Sequence, residues 1–390
     1  MITPPWLSVP PDGYGGIEVV VDGLTRELTN LGVCVELFSI GKSRIKGIKI
    51  HSLYKNEQYS HIHKSLYESS PIVLAHLLFA IDEIVKDGKF DIIHDHNGFL
   101  GPALLRLATE IPSLPPVLHT LHGPPFSSPK LSNNHGIPDN RPMWQQLANI
   151  KNLYIVGISK TLMREAPPEL KRQLLASVHN GIEVKQFRFR AKKQKHFITL
   201  ARFSREKGQH VAAKLCDELG YSLKMAGTVA GIDSERKLVL ELANPLSEYR
   251  SYPDFRYYSD NVWPLTVSNP HITYVGNVGG HRKINFIGAA KALLFPIDWE
   301  EPFGMAVIEA FACGTPVVAM NRGAMPEIIE HGVNGFLAKS VPEFRKYMQR
   351  IEEIDPARCR QTVEELFSTH IMAREYLKRY HQILGYKSRS

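Results

Sequence analysis

Strand-like and helix-like segments alternate from one end of this chain to the other, and that alternation limits its fold more than any other feature. In the first half, CVELFSI (34–40), FDIIHDH (90–96), PVLHTLH (116–122) and LYIVGIS (153–159) read as strands. The second half supplies HFITLAR (196–202), SLKMAG (222–227), HITYVG (271–276), KALLFPI (291–297) and PVVAM (316–320). Amphipathic stretches such as 17–32, closed by Gly32, and 208–220 lie between them. Such an order calls for parallel sheets with crossover helices, the doubly wound α/β class. A chain of 390 residues exceeds one ordinary core, so two domains are expected. The polar, basic piece 183–195 separates the two sets and reads as the hinge, leaving 1–182 before it and 196–370 after it. Residues 230–270 show weak periodicity and many Tyr, Pro and Asp, and read as a large loop excursion with some helix.

Composition excludes several classes. With 43% apolar and 22% charged residues the chain reads as a soluble globular protein. Its best apolar run, PIVLAHLLFAI (71–81), is interrupted by His76 and falls short of the roughly 20 residues of a membrane span. The N-terminal MITPPWLSVPPDGYGG has neither the basic nor the apolar region of a signal peptide. Cys34, Cys216, Cys313 and Cys359 are scattered and read as buried free thiols in a reducing, cytoplasmic setting. The net charge of +8 gathers at Lys42, Arg44, Lys46 and Lys49, and at Lys185, Arg188, Arg190, Lys192, Lys193 and Lys195. No nucleic-acid module surrounds either cluster, so no nucleic-acid partner is expected. They read as solvated faces or a linker, with attraction to an anionic membrane surface or an acidic substrate as the second reading.

The stretch WEEPFGMAVIEAFACGTPVVA, 299–319, concentrates the chemistry. Pro302 suits a first helical position, Gly304 admits a ligand close to the backbone, and Gly314 closes the helix. The amides of Phe303, Gly304 and Met305 then form an anion site at a helix start. If the segment is helical throughout, Glu301 and Glu309 stand roughly 12 Å apart along the axis. That exceeds the roughly 5–9.5 Å of a glycosidase pair and suits two separate contacts on one extended, hydroxyl-rich ligand. On FDIIHDH, alternation sends His94 and His96 to one face and Asp95 to the other. No Cys or Glu completes a metal site there, and no Asp-x-Asp motif stands out, so no metal is expected.

With these residues in view, the sequence resembles the family-4 retaining glycosyltransferases, nucleotide-sugar-dependent enzymes of the GT-B type. EEPFGMAVIEAFACGTPVVA resembles that family's Glu-x7-Glu signature. GYGGIE (13–18), HTLHG (119–123), VHNGIE (178–183), ARFSREKG (201–208) and GAMPEIIEHGVNGFL (323–337) agree with it in order. The resemblance implies an α/β fold of two Rossmann-like domains facing across a cleft, an acceptor-side domain followed by a nucleotide-sugar domain. It also implies that the terminal helix, 371–390, returns to the first domain, although its basic, amphipathic character also suits a membrane surface. By the same resemblance Arg202 and Lys207 clamp the donor diphosphate, and Gly15 and Gly16 bring backbone amides to it. Glu309 holds the ribose, Glu301 a sugar hydroxyl, and His122 approaches the sugar. Gly276 and Gly279 let the base approach the backbone. Relatives begin with a longer apolar first strand than MITPPW.

The implied activity is retaining transfer of a hexosyl group from a nucleoside diphosphate sugar to an acceptor hydroxyl, with no cofactor beyond the donor substrate. Carbohydrate, lipid and small-molecule acceptors all fit, with acceptor recognition in 40–70 and 124–145. A cytoplasmic location is expected, with peripheral contact at the inner membrane surface as the second reading. Two other readings fit the same residues, an epimerase or phosphorylase of this fold and a non-catalytic nucleotide-sugar-binding protein.

Overall fold

The structure, a computed structural model, describes residues 1–12, 15–61, 65–108, 114–123, 126, 139–164 and 166–385. The chain divides into two compact units, Met1–Ile182 with Ser368–Ser390, and Glu183–Phe367.

In the first unit β1 (Glu36–Phe38) pairs in parallel with β2 (Lys49–His51). β3 (Ile93–Asp95), β4 (Val117–Leu121) and β5 (Leu153–Gly157) form a second parallel set in that order. Ile2 joins the two, with parallel bridges to Phe38 and Asp95. Its N–H donates to His94 O and its carbonyl accepts from His96 N, both at 2.9 Å. The spatial order is therefore β2, β1, Ile2, β3, β4, β5, a doubly wound order reversing at Ile2. The short first strand is thus one fully buried apolar residue between two neighbours. β2 lies in the basic stretch read as solvated, where Lys49 pairs with Glu36 at 3.3 Å.

The helix Gly16–Asn30 follows Ile2 and packs on the helix Thr369–Leu384. Gly23 makes that approach possible, since a Cβ there would stand 2.7 Å from Thr369 Cγ2. Met372, Ala373, Tyr376 and Tyr380 are buried along one face of the C-terminal helix, so its apolar side is used inside this unit. His76 lies in the helix Leu66–Asp87, buried, with Nε2 3.0 Å from Thr3 O. Among the described residues no helix is long and apolar enough to cross a membrane.

The second unit holds one six-stranded parallel sheet built from β6 (Phe197–Leu200), β7 (Leu223–Ala226), β8 (Ile272–Tyr274), β9 (Leu293–Phe295), β10 (Val317–Met320) and β11 (Gly335–Ala338). Its order is β11-β10-β9-β6-β7-β8. The order reverses between β6 and β9, so a crevice at their carboxyl ends is where a ligand is held in such sheets.

Four local expectations are corrected. Residues 183–195 are not a free linker: Val184 and Phe187 are buried, and Lys193 Nζ donates to Gly288 O, Cys313 O and Thr315 Oγ1 at 2.8–3.2 Å. The 230–270 excursion is mostly helical, with Glu235–Ala243, Pro253–Asn261 and Trp263–Ser268. Each of these helices is too short to show a helical period, and Phe255 and Tyr258 anchor the group in the core. Cys34 is exposed, whereas Cys216, Cys313 and Cys359 are buried. The helix after β9 begins at Met305, three residues beyond Pro302, because Gly304 takes a left-handed conformation (φ 99°) as its N-cap.

Candidate active site

Three loops converge at the reversal point of the second unit. The first leaves β6 and carries Arg202 and, in a short 3-10 turn, Lys207. The second leaves β9 and runs from Pro296 to Gly304; the third leaves β10 and contains Gly323. Asp298 N donates to Glu206 O at 2.8 Å, tying the first loop to the second. Gly323 N donates to Glu300 Oε2 at 2.7 Å, and Ala324 N to Glu301 O at 2.9 Å, tying the third to the second. Gly323 is left-handed (φ 57°), and a Cβ there would lie 2.2 Å from Glu301 N, so only glycine lets these backbones meet.

Every charge expected to face a ligand here has an internal partner. Arg202 donates to Glu206 Oε1 at 2.8 Å and also binds Asp254, on the helix Pro253–Asn261. Lys207 Nζ lies 2.6 Å from Glu301 Oε2, which also accepts from Trp299 Nε1 at 2.8 Å. The Lys207 ammonium stands 4.5 Å from the centroid of the Trp299 ring. Glu309, on the second turn of the helix Met305–Ala312, accepts from Lys283 at 2.6 Å. Glu301 and Glu309 are both buried, but Glu301 precedes the helix, so helical rise does not set their separation. Asp254, Lys283 and Trp299 were not singled out from sequence; the GG preceding HRK was the one available signal for Lys283.

Val307 N is the first amide of this helix to bond backward, to Gly304 O at 2.9 Å. The amides of Met305 and Ala306 therefore precede the ladder at the positive end of the helix dipole. The Phe303 side chain is core, 5.9 Å from Phe367 between ring centroids. Gly276 is held structurally, since a Cβ would stand 2.9 Å from Asp233 O. Gly279 is exposed, opens the helix Gly280–Ala289, and has free space where a Cβ would point.

The first unit places Gly15 as the N-cap of Gly16–Asn30 and Gly16 as its first residue; Gly13 and Tyr14 lie outside the described residues. Glu18, in the first turn, is buried, and burial together with Glu57 pushes its carboxyl up to about 7. His122 follows β4, half-buried, with Nε2 2.9 Å from His96 Nδ1. His94 and His96 share a face, their rings 4.1 Å apart. His94 bonds Tyr380 OH and Thr120 Oγ1, both at 2.7 Å. Asp95 turns to the other face and meets His119 Nδ1 at 2.6 Å. Burial first holds His122 at about 3 and His94 and His96 well below the usual histidine range; the N-terminal ammonium adds to this at His94, and neighbouring imidazoles at all three. These three rings are neutral and serve as hydrogen-bonding groups. Among the described residues no cluster of three His, Cys, Asp or Glu is arranged to hold a metal ion. Of the expected acceptor segments, 62–64, 124–125 and 127–138 lie outside the described residues.

Both units match known protein families. Residues 14–186 match the family model described as Glycosyltransferase Family 4, and residues 182–364 that of Glycosyl transferases group 1. A D-inositol 3-phosphate glycosyltransferase of Paenarthrobacter aurescens is 24% identical over 388 residues, covering 91% of this chain and 88% of that one. The sucrose-phosphate synthase of Thermosynechococcus elongatus superposes with a TM-score of 0.71 over 99% of both chains at 19% identity. Anabaena HepE, solved in complex with UDP and glucose, superposes at 0.64 over 97% of this chain and 98% of that chain, with 17% identity. Two consecutive family models spanning both units, and doubly wound sheets shared with solved transferases, lead to one conclusion: the chain belongs to the family-4 glycosyltransferases, with the GT-B fold.

Proposed function

We propose that this glycosyltransferase moves a hexosyl group from a nucleoside diphosphate sugar to an acceptor hydroxyl with retention at the anomeric carbon. The observation that carries the reading is the convergence, at one reversal point, of Arg202, Lys207 and the helix start at Met305, bracketed by Glu301 and Glu309. HepE, of the same fold, has been solved with UDP and glucose, which supports a nucleotide-sugar donor.

In the state described, carboxylates occupy the cations: Glu206 and Asp254 on Arg202, and Glu301 on Lys207. A diphosphate entering the crevice exchanges these contacts for phosphate oxygens. Each charge-assisted bond then contributes about 1.5–3 kcal/mol. Arg202, Lys207 and the amides of Met305 and Ala306 stabilise the negative charge that grows on the leaving diphosphate as the glycosidic bond breaks. Within the first unit, the Gly15 and Gly16 amides and the His122 ring are the groups that the family resemblance assigns to donor binding. The acceptor hydroxyl attacks on the face from which the diphosphate leaves, and its proton passes to the leaving phosphate oxygen. The acceptor is a carbohydrate, a lipid or a small hydroxylated molecule, and Glu309 holds the ribose hydroxyls.

Thermal unfolding with UDP, GDP and ADP tests the donor site. One diphosphate at about 100 times its dissociation constant should add ~2.7 kcal/mol of stability. Arg202→Ala and Lys207→Ala should abolish that gain and lower the transfer rate by about 10²–10³-fold. Retention of more than half the wild-type rate in both variants removes the assignment. The anomeric configuration of the product, read by NMR, tests retention separately.

A further inference from the structure

Trp299 lies two residues before Glu301 in the loop that leaves β9, half-buried against Lys207. Its indole N–H donates to Glu301 Oε2 at 2.8 Å, the same oxygen that Lys207 Nζ reaches at 2.6 Å. Its ring face meanwhile receives the Lys207 ammonium at 4.5 Å. One side chain thus touches both the proposed sugar-binding acid and the proposed diphosphate-binding cation.

We propose that Trp299 is a positioning residue that divides the two oxygens of Glu301, committing Oε2 to the protein and leaving Oε1 to accept from a donor-sugar hydroxyl. A carboxylate offers about four acceptor positions on two oxygens, and its χ torsions are free unless something fixes them. The bonds that fix the backbone here, Gly323 N to the Glu300 side chain and Ala324 N to Glu301 O, leave the Glu301 carboxylate free to rotate. Lys207 also holds Oε2, but only until a diphosphate draws the ammonium away; Trp299 is the restraint that then remains, because an indole donates from one atom only and from a rigid ring. A tryptophan serving packing alone would spend its N–H on backbone or water; here it goes to the buried acid. The ring also gives Lys207 a second attachment, so the ammonium keeps its place when a diphosphate draws it from Glu301. Diphosphate binding then depends on the ring face, and sugar recognition on the N–H.

This assignment rests on the donor reading above, and the substitutions separate the two. Trp299→Phe keeps the ring face and removes the N–H, whereas Trp299→Leu removes both. The probes are UDP with UDP-glucose, GDP with GDP-mannose and ADP with ADP-glucose, using whichever pair binds the wild type. For Trp299→Phe, affinity for the nucleoside diphosphate should stay within about twofold, while affinity for the nucleotide sugar falls about tenfold, the scale of one charge-assisted hydrogen bond. Trp299→Leu should weaken both ligands. An equal loss of both ligands in Trp299→Phe, or no loss of either, overturns the role of the N–H. If Lys207→Ala loses diphosphate binding while Trp299→Phe leaves the ratio unchanged, only the Trp299 assignment fails. If no pair binds the wild type, or Lys207→Ala binds diphosphate normally, the donor reading fails and takes the assignment with it.

Discussion

Both units place polar side chains at the carboxyl ends of buried parallel strands, and they handle the resulting desolvation in opposite ways. In the first unit burial acts against charge at Glu18, His122, His94 and His96, with the buried pair of Asp95 and His119 standing apart from them. Glu18 is pushed up to about 7, His122 down to about 3, and His94 and His96 well below the usual range. Tyr380 and Thr120 satisfy both nitrogens of His94, and His96 Nδ1 bonds His122 Nε2, while His96 Nε2 is buried without a partner among the described residues. In the second unit each of these side chains stands beside one of opposite charge: Arg202 with Asp254 and Glu206, Lys207 with Glu301, Lys283 with Glu309. Neutral groups can orient a sugar without attracting ions, whereas a paired charge is a site already shaped for an anion that can displace the partner. The division of labour proposed for the two units follows from that difference.

The largest expected effect strikes the backbone that holds the ion-paired side together. Gly323→Ala would set a Cβ 2.2 Å from Glu301 N at a left-handed position. We expect a loss of ~3 kcal/mol or more, read as a lower urea midpoint, with activity below that of Lys207→Ala. Near-normal activity in this variant would show that the Glu301 loop tolerates displacement, and that its pairs are not geometrically set.

Glu18→Gln tests the neutral side. The folded carboxyl titrates at about 7 and the unfolded one at about 4.5. Below 4.5 both states carry the proton and the acid costs nothing. Between the two values the folded state binds more protons, so stability falls as pH rises. Above 7 the full penalty remains, ~3 kcal/mol. A permanently neutral glutamine escapes it. The variant should match wild type near pH 4 and exceed it increasingly up to pH 7, with a constant gap beyond. A gap independent of pH would break the claim that burial neutralises the first unit.

Much of the fold was legible in the sequence, and the missing part has a physical cause. Apolar runs and their glycine stops marked nine strands, and alternation along FDIIHDH sorted His94 and His96 from Asp95. Ile2 and β2 were missed because one to three residues carry no period, and their pairing is set by neighbours distant in sequence. β11 went unassigned for the same reason, its four residues starting at a glycine. The helix start was misplaced because Pro302 fits a first turn while Gly304 takes up the bend. Most of all, the ionic partners were hidden. Asp254 meets Arg202 across 52 positions and Lys283 meets Glu309 across 26. Sequence spacing identifies i,i+4 partners, but tertiary packing chooses these.

The smallest effect is the most direct test of pairing itself. Lys283 and Glu309 lie 2.6 Å apart with side chains 28% and 9% exposed, so the pair is neither a surface contact nor fully desolvated. Lys283→Met leaves a buried carboxylate alone and should cost ~1 kcal/mol, between the values for exposed and buried pairs. Glu309→Gln alone leaves the more exposed ammonium free to turn to water and should cost less. If the pair is energetically coupled, the double variant Lys283→Met with Glu309→Gln should be more stable than the sum of the single losses predicts. That coupling should be at least ~0.5 kcal/mol, above the usual error of additivity. It should also change little between low and high salt, because buried pairs are screened less than exposed ones. Additive losses would mean that Lys283 and Glu309 act independently, and the two units would then differ in exposure rather than in how they meet burial.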